Sequence, residues 1–341
     1  MQKSHAGNRL VWVDAAKAIA IIAMILGHEI GDGNNLHFWI YSFHMPIFFI
    51  LSGYTSHLVI SWTDWRKQVK KLVIRVLALA ILMVILYQVE RALFSEGDWS
   101  RVLPLSVRET FWGADPMASM YSGGLSIEIE WFLFLYFFAK LFYDWCSIIF
   151  KDKDYGIVLA LLAFACYQFI SIHIHLPFVM DLVPLASFYM YIGHLIRVKK
   201  AWLGQHYYYV VGGAFVFWGI MLINHQCIDM ATRDFTNNYI LGVLETIAGS
   251  FVVMVCCQSI EDFNLVSKLS LLGKHTLMLM FIHELDCYNF AGKYAIKALH
   301  LNNYTSGIYR VVVDMLIMFI VLALMNFVKA QRTNLKRITN E

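Results

Sequence analysis

Apolar residues in this chain come in runs of about twenty, a length that spans the hydrocarbon core of a bilayer as an α-helix. Ten such runs are predicted as helices, at 13–31, 38–60, 72–94, 126–149, 155–175, 181–197, 207–225, 239–257, 270–290 and 307–328. The fifth and sixth share a short linker between Leu176 and Asp181, and the sixth is short enough to be re-entrant. No internal repeat of fixed period is visible, nor an inverted pair of Gly- or Pro-broken helices. The fold class expected is all-α: a polytopic membrane helix bundle of about ten transmembrane helices, forming a single domain over 1–341.

Composition supports that reading. Of 341 residues, 59% are hydrophobic and 15% charged, whereas soluble domains run nearer 45–50% apolar and about a quarter charged. A water-soluble enzyme, a disordered chain and a coiled coil are all disfavoured. Six cysteines are too sparse for a disulfide scaffold, and none has zinc-ligand spacing, so no metal is expected. A net charge of +3 gives no case for nucleic acid. The first apolar run is entered through Asp14 and Lys17 and has no small-residue cleavage site, so it is not a signal peptide.

Charge also orients the spans. Of 27 Lys and Arg residues, sixteen fall in segments that are cytoplasmic if the N-terminus is inside; six fall in outer segments and five within spans. Both termini are therefore expected in the cytoplasm of a multi-pass cell-membrane protein. The longest connecting segment, about 95–125, is expected outside as a folded loop or partial lid.

Ionisable residues inside a span are costly and by default mark function. The first helix holds Asp14, Lys17 and His28. Eleven residues separate Lys17 from His28, which returns them to one helical face about 16 Å apart. Asp14 and Lys17 also fit a plain interfacial ion pair. His28, followed by Glu29, points more strongly to proton transfer, because imidazole titrates near neutral pH. In the second run, Pro46 should kink the helix, Ser52 and Gly53 permit close approach, and His44 falls in the same half as His28. His44 alone suits a structural hydrogen bond as well as catalysis. Arg66, Lys70 and Arg75 lie near one stripe and fit either membrane anchoring or a cytoplasmic phosphate site. Glu128 and Glu130 point to different faces of the fourth helix, and His283 and Glu284 lie deep in the ninth.

Several of these stretches carry a resemblance. Trp12 to Ile21 ending in Gly27-His28, then Tyr41-Ser42-Phe43-His44-Met45-Pro46 through Leu51-Ser52-Gly53-Tyr54, resemble the opening signatures of the acyltransferase-3 family of integral-membrane O-acyltransferases. The nearest branch is the fucose 4-O-acetylase-like one. The basic stretch Arg66 to Arg75, the Leu125-Ser126-Ile127-Glu128 segment and the Leu271 to Leu277 stretch leading to His283 are similar to later family motifs. Lys17 stands where many members have arginine, and Ala18 replaces the usual glycine. The resemblance implies transfer of an acyl group, most often acetyl, from cytoplasmic acetyl-CoA to a hydroxyl of a cell-surface carbohydrate or its lipid-linked precursor. It implies that His28 acts on that hydroxyl or on an acyl relay, with the family's acidic position at Glu128. Lys17 would support the thioester carbonyl or the donor's phosphates. A transporter or exporter of a polar solute or glycan would use the same intramembrane charges and stays open at this stage.

Overall fold

Helices form along the apolar runs because a backbone in hydrocarbon must satisfy its own N–H and C=O groups. The computed structural model describes residues 9–30, 34–96, 98–115, 129–151, 153–171, 173–226, 228–235, 238–288 and 291–338. Among these, seven helices are long and apolar enough to cross a membrane: Val11–Glu29, Asn35–Thr55, Trp62–Phe94, Trp131–Phe150, Pro177–Val198, Tyr239–Ser259 and Asn303–Gln331. A bent pair, Asn264–Gly273 and Thr276–Leu285, makes an eighth if it is one span. The expected fifth and seventh runs fold as shorter apolar helices, Gly156–Ser171 and Tyr207–Ile223. The chain is thus an all-helical, multi-pass membrane protein with seven or eight candidate spans among its described residues. A count of ten requires both short helices to cross as well.

Three departures from uniform helix shape the functional end. The second run is two helices, α2 (Asn35–Tyr41) and α3 (Pro46–Thr55), which follow α1 (Val11–Glu29). Pro46 has no N–H and its ring collides with the carbonyl four residues back, so it opens a new helix at N1 instead of continuing the old one. The third run has no separate basic linker before it. Ser61 caps the amphipathic α4 (Trp62–Leu72), which passes through a π-helical segment at Val73–Leu77 into α5 (Ala78–Arg91). The ninth run, expected as one span over 270–290, is bent by 62° at Lys274-His275. The fourth begins helically at Trp131, and its expected start at 126–128 lies outside the described residues.

Glycines set the tightest crossings. A Cβ on Gly53 would stand 1.8 Å from the Met190 carbonyl oxygen, and one on Gly193 would stand 1.8 Å from that of Ile50. The two backbones therefore approach within a distance that only glycine permits. Gly273 plays the same part against α1, where a Cβ would fall 1.6 Å from the Asp14 carbonyl oxygen. Alanines 15, 16, 18, 20 and 23 are all buried along α1. Small side chains thus hold α1 at the centre of the bundle, with its two polar ends at opposite ends of the molecule.

Candidate functional site

At the end of the bundle where α1 finishes lies a cavity of about 270 Å³. His28, Tyr41, His44, Trp131, Asp229 and Thr232 line it. The two histidines singled out in separate helices thus face one space. His44 sits in the turn forced by Pro46, and its Nδ1 lies 3.0 Å from the Ile40 carbonyl oxygen. A carbonyl only accepts, so Nδ1 carries the proton and Nε2 is the ring's acceptor. Tyr41 stacks on His37 with ring centroids 3.9 Å apart and meets His44 edge-on at 4.7 Å.

Behind His28 stands a histidine–carboxylate pair. The His283 ring centroid is 5.7 Å from that of His28, and His283 Nδ1 donates to Asp314 Oδ2 at 2.8 Å. His283 and Asp314 are both fully buried. Asp314 comes from the last long helix, Asn303–Ile338, which also anchors the residue next to His28. There Ser306 donates to Glu29, and Arg310 forms an ion pair with it. Ser306, Arg310 and Asp314 are spaced four apart, so one stripe of that helix fixes the Gly27-His28-Glu29 corner. Asp314 and Ser306 were not anticipated; the i, i+4, i+8 polar stripe inside an apolar run was the signal that could have found them.

The outer wall is a short loop stapled in place. Asp229 and Asp234 exchange backbone hydrogen bonds of 2.8 and 3.0 Å. Asp229 Oδ1 also accepts from the Ala231 N–H at 2.8 Å. Arg233 is buried and bound by two carboxylates from elsewhere: Asp115 Oδ1 at 2.8 Å and Asp181 Oδ2 at 3.0 Å. Burial pushes the Asp229 carboxyl above its usual range, against the hydrogen bonds from Thr232 and Ala231 that favour its charge.

The other expected residues lie at the opposite end or beyond the described chain. Asp14 is buried and pairs with Arg9, and Lys17 Nζ is 3.8 Å from its carboxylate. Asp14 thus sits between Arg9 and Lys17. Arg66, Lys70 and Arg75 are exposed. A separate cavity of about 540 Å³ at that end is lined by His57, Asp64, Lys67, Gln68 and Lys71 among others. Positions 64, 67, 68 and 71 form one helical stripe, and 66 and 70 face roughly the other way. Of the cationic groups in the 66–75 stretch, Lys67 and Lys71 are therefore the ones that line this cavity, and the sequence pattern did not separate them from their neighbours. Glu128 lies outside the described residues. Among the described residues no group of three or more His, Cys, Asp or Glu is arranged to hold a metal ion.

A family model described as an acyltransferase domain matches residues 10–330 of the chain. No curated protein and no solved structure matches it.

Proposed function

The chain belongs to the acyltransferase-domain family and is a membrane acyltransferase, and from that premise we propose that it is an O-acetyltransferase. In this reading an acetyl group passes from cytoplasmic acetyl-CoA to a hydroxyl of a cell-surface carbohydrate or its lipid-linked precursor, in the cell membrane, with both termini cytoplasmic. The motif likeness to the fucose 4-O-acetylase-like branch favours a sugar hydroxyl as acceptor. The single observation that carries the reading is the cavity in which His28 meets open space while His283, held by Asp314, stands behind it.

An alcohol is a weak nucleophile until a base takes its proton as it attacks. Neutral His28 is the base suited to this. The acceptor oxygen bonds to the thioester carbon, its proton goes to the imidazole, and the C–S bond breaks with its electron pair leaving on the CoA sulfur. The proton on His28 then passes to that thiolate, and the base is regenerated. His283 and Asp314 are positioning residues: their charge-assisted hydrogen bond fixes the ring against which His28 packs. Tyr41 and Trp131 line the cavity as aromatic groups suited to the C–H side of a sugar, and Asp229 offers an acceptor for a neighbouring hydroxyl. At the other end, Lys67 and Lys71 line a cavity, and Arg66, Lys70 and Arg75 are exposed on the same basic stretch. Together they suit the phosphates of the donor.

Mass analysis of surface glycans from cells with and without the gene tests the reading. Loss of acetyl esters from one glycan class on deletion, restored by the intact gene, supports it. An unchanged acetyl content overturns it.

A further inference from the structure

A second cavity, much smaller, continues from the first toward the middle of the bundle. It encloses about 70 Å³. Met24, Met45 and Ile129 line both cavities and form the partition between them. Beyond the partition the walls are Ile21, Phe48, Phe132, Leu277 and Met280, with the Thr276 hydroxyl as the one polar side chain. On α1 the positions Lys17, Ile21, Met24 and His28 share one face. The small cavity therefore lies between the charged start of that stripe and His28.

We propose that this small cavity receives the acyl end of the donor thioester and restricts transfer to chains of two or three carbons. The inference rests on the acyltransferase reading above. The argument is one of place, chemistry and size. The acceptor hydroxyl, deprotonated by His28, approaches from the larger cavity, so the carbonyl carbon it attacks sits at the partition. The acyl tail lies in the plane of the carbonyl, off the line of attack, and the apolar space beneath the partition is where it fits. Methionine side chains are unbranched and pliable, so Met24 and Met45 can part to admit a tail while still excluding water. An apolar cavity of about 150 Å³ takes up one benzene, six carbons, so about 70 Å³ has room for roughly two or three. A longer chain meets Phe48, Phe132 and Met280.

The test is a series of acetyl-, propionyl-, butyryl- and hexanoyl-CoA, given to the purified full chain in liposomes with a glycan acceptor. One methylene in a fitted apolar pocket changes specificity roughly 10–200-fold. The intact protein should therefore lose about tenfold or more in kcat/KM on going from propionyl to butyryl. Met280→Ala removes the floor and should raise the butyryl-to-acetyl ratio at least about tenfold. Thr276→Leu fills the space and should lower propionyl relative to acetyl. Both readouts are ratios, so a lower yield of folded protein does not alter them, and either variant suffices if the other fails to fold. Transfer by the intact protein with the same chain-length ratios in every variant overturns the inference alone. Absence of transfer from any acyl-CoA overturns the underlying reading with it.

Discussion

Replacing Asp314 by asparagine isolates what the His283–Asp314 pair contributes. Asparagine nearly matches aspartate in shape, so it keeps the packing of a fully buried position and removes only the charge. The amide oxygen can still accept from His283 Nδ1, so what is lost is the charge assistance on a bond of 2.8 Å that is shielded from water at both ends. Hydrogen bonds to charged groups contribute about 1.5–3 kcal/mol and neutral ones about 0.5–1.5, a difference of about 1–1.5 kcal/mol, and 1.4 kcal/mol is about tenfold in rate, so turnover should fall roughly 5–10-fold. That is less than the loss expected on removing His28 itself, because the proton acceptor is still present. The assay is acetyl transfer by the purified variant in liposomes, with kcat and KM separated. A positioning role lowers kcat and leaves the KM for acetyl-CoA near its original value; a purely structural role lowers the yield of folded protein and not the turnover of what folds. Asp314→Glu, which restores the charge with a longer reach, should recover part of the loss. An Asp314→Asn enzyme within twofold of the intact one in kcat would refute the reasoning.

Three further outcomes follow from other parts of the molecule. Gly53→Ala would push a methyl group into the Met190 carbonyl 1.8 Å away, so the α3 crossing must open; detergent-solubilised protein should be markedly less thermostable, and an unchanged melting temperature would contradict the packing. At the end where Lys67 and Lys71 line a cavity, Lys67→Gln with Lys71→Gln should raise the KM for acetyl-CoA more than neutralising Arg66 and Lys70 together, with the difference shrinking at high salt; equal effects would return the whole cluster to membrane anchoring. Burial pushes the Glu109 carboxyl from 4.5 to about 7, in the helix Val102–Trp112 outside the candidate spans. A raised carboxyl stabilises the fold fully below about pH 4.5 and loses that contribution as pH rises through about 7, so protection from hydrogen exchange over 102–115, taken relative to the intrinsic rate at each pH, should fall across that window, and Glu109→Gln should flatten the dependence.

The helices were legible because a bilayer leaves few alternatives: runs of about twenty apolar residues become helices whatever their neighbours do. Pro46 could be read as a kink, and the Gly53 crossing as a close approach, since each follows from the residue's own stereochemistry. The 62° bend at Lys274-His275 was hidden, as neither residue is a helix breaker; the bend accompanies the seating of Gly273 against the Asp14 backbone, a contact between distant parts of the chain. In the site, His28 and His44 stood out because ionisable groups are conspicuous in apolar runs. Asp314 did not, because its partner His283 lies 31 positions away and only folding pairs them. The loop of Asp229 and Arg233 was passed over for a related reason: its order depends on Asp115, just after the helix Val102–Trp112, and on Asp181, in the first turns of Pro177–Val198. Lys67 and Lys71 could not be told from Arg66 and Lys70 without knowing which face of α4 turns toward the 55–59 segment.

The central claim is that His28 takes the proton from the acceptor hydroxyl, and the most direct measurement compares the intact protein with His28→Gln. Both are reconstituted in liposomes with acetyl-CoA supplied, and acetyl transferred to a glycan acceptor is counted per folded molecule. Glutamine keeps a hydrogen-bonding side chain in the cavity but cannot accept a proton. The account predicts that turnover falls about 10²–10⁴-fold with normal insertion and expression. Near-normal turnover by His28→Gln would contradict it and leave His28 as a structural hydrogen bond, with His44 the next side chain to test.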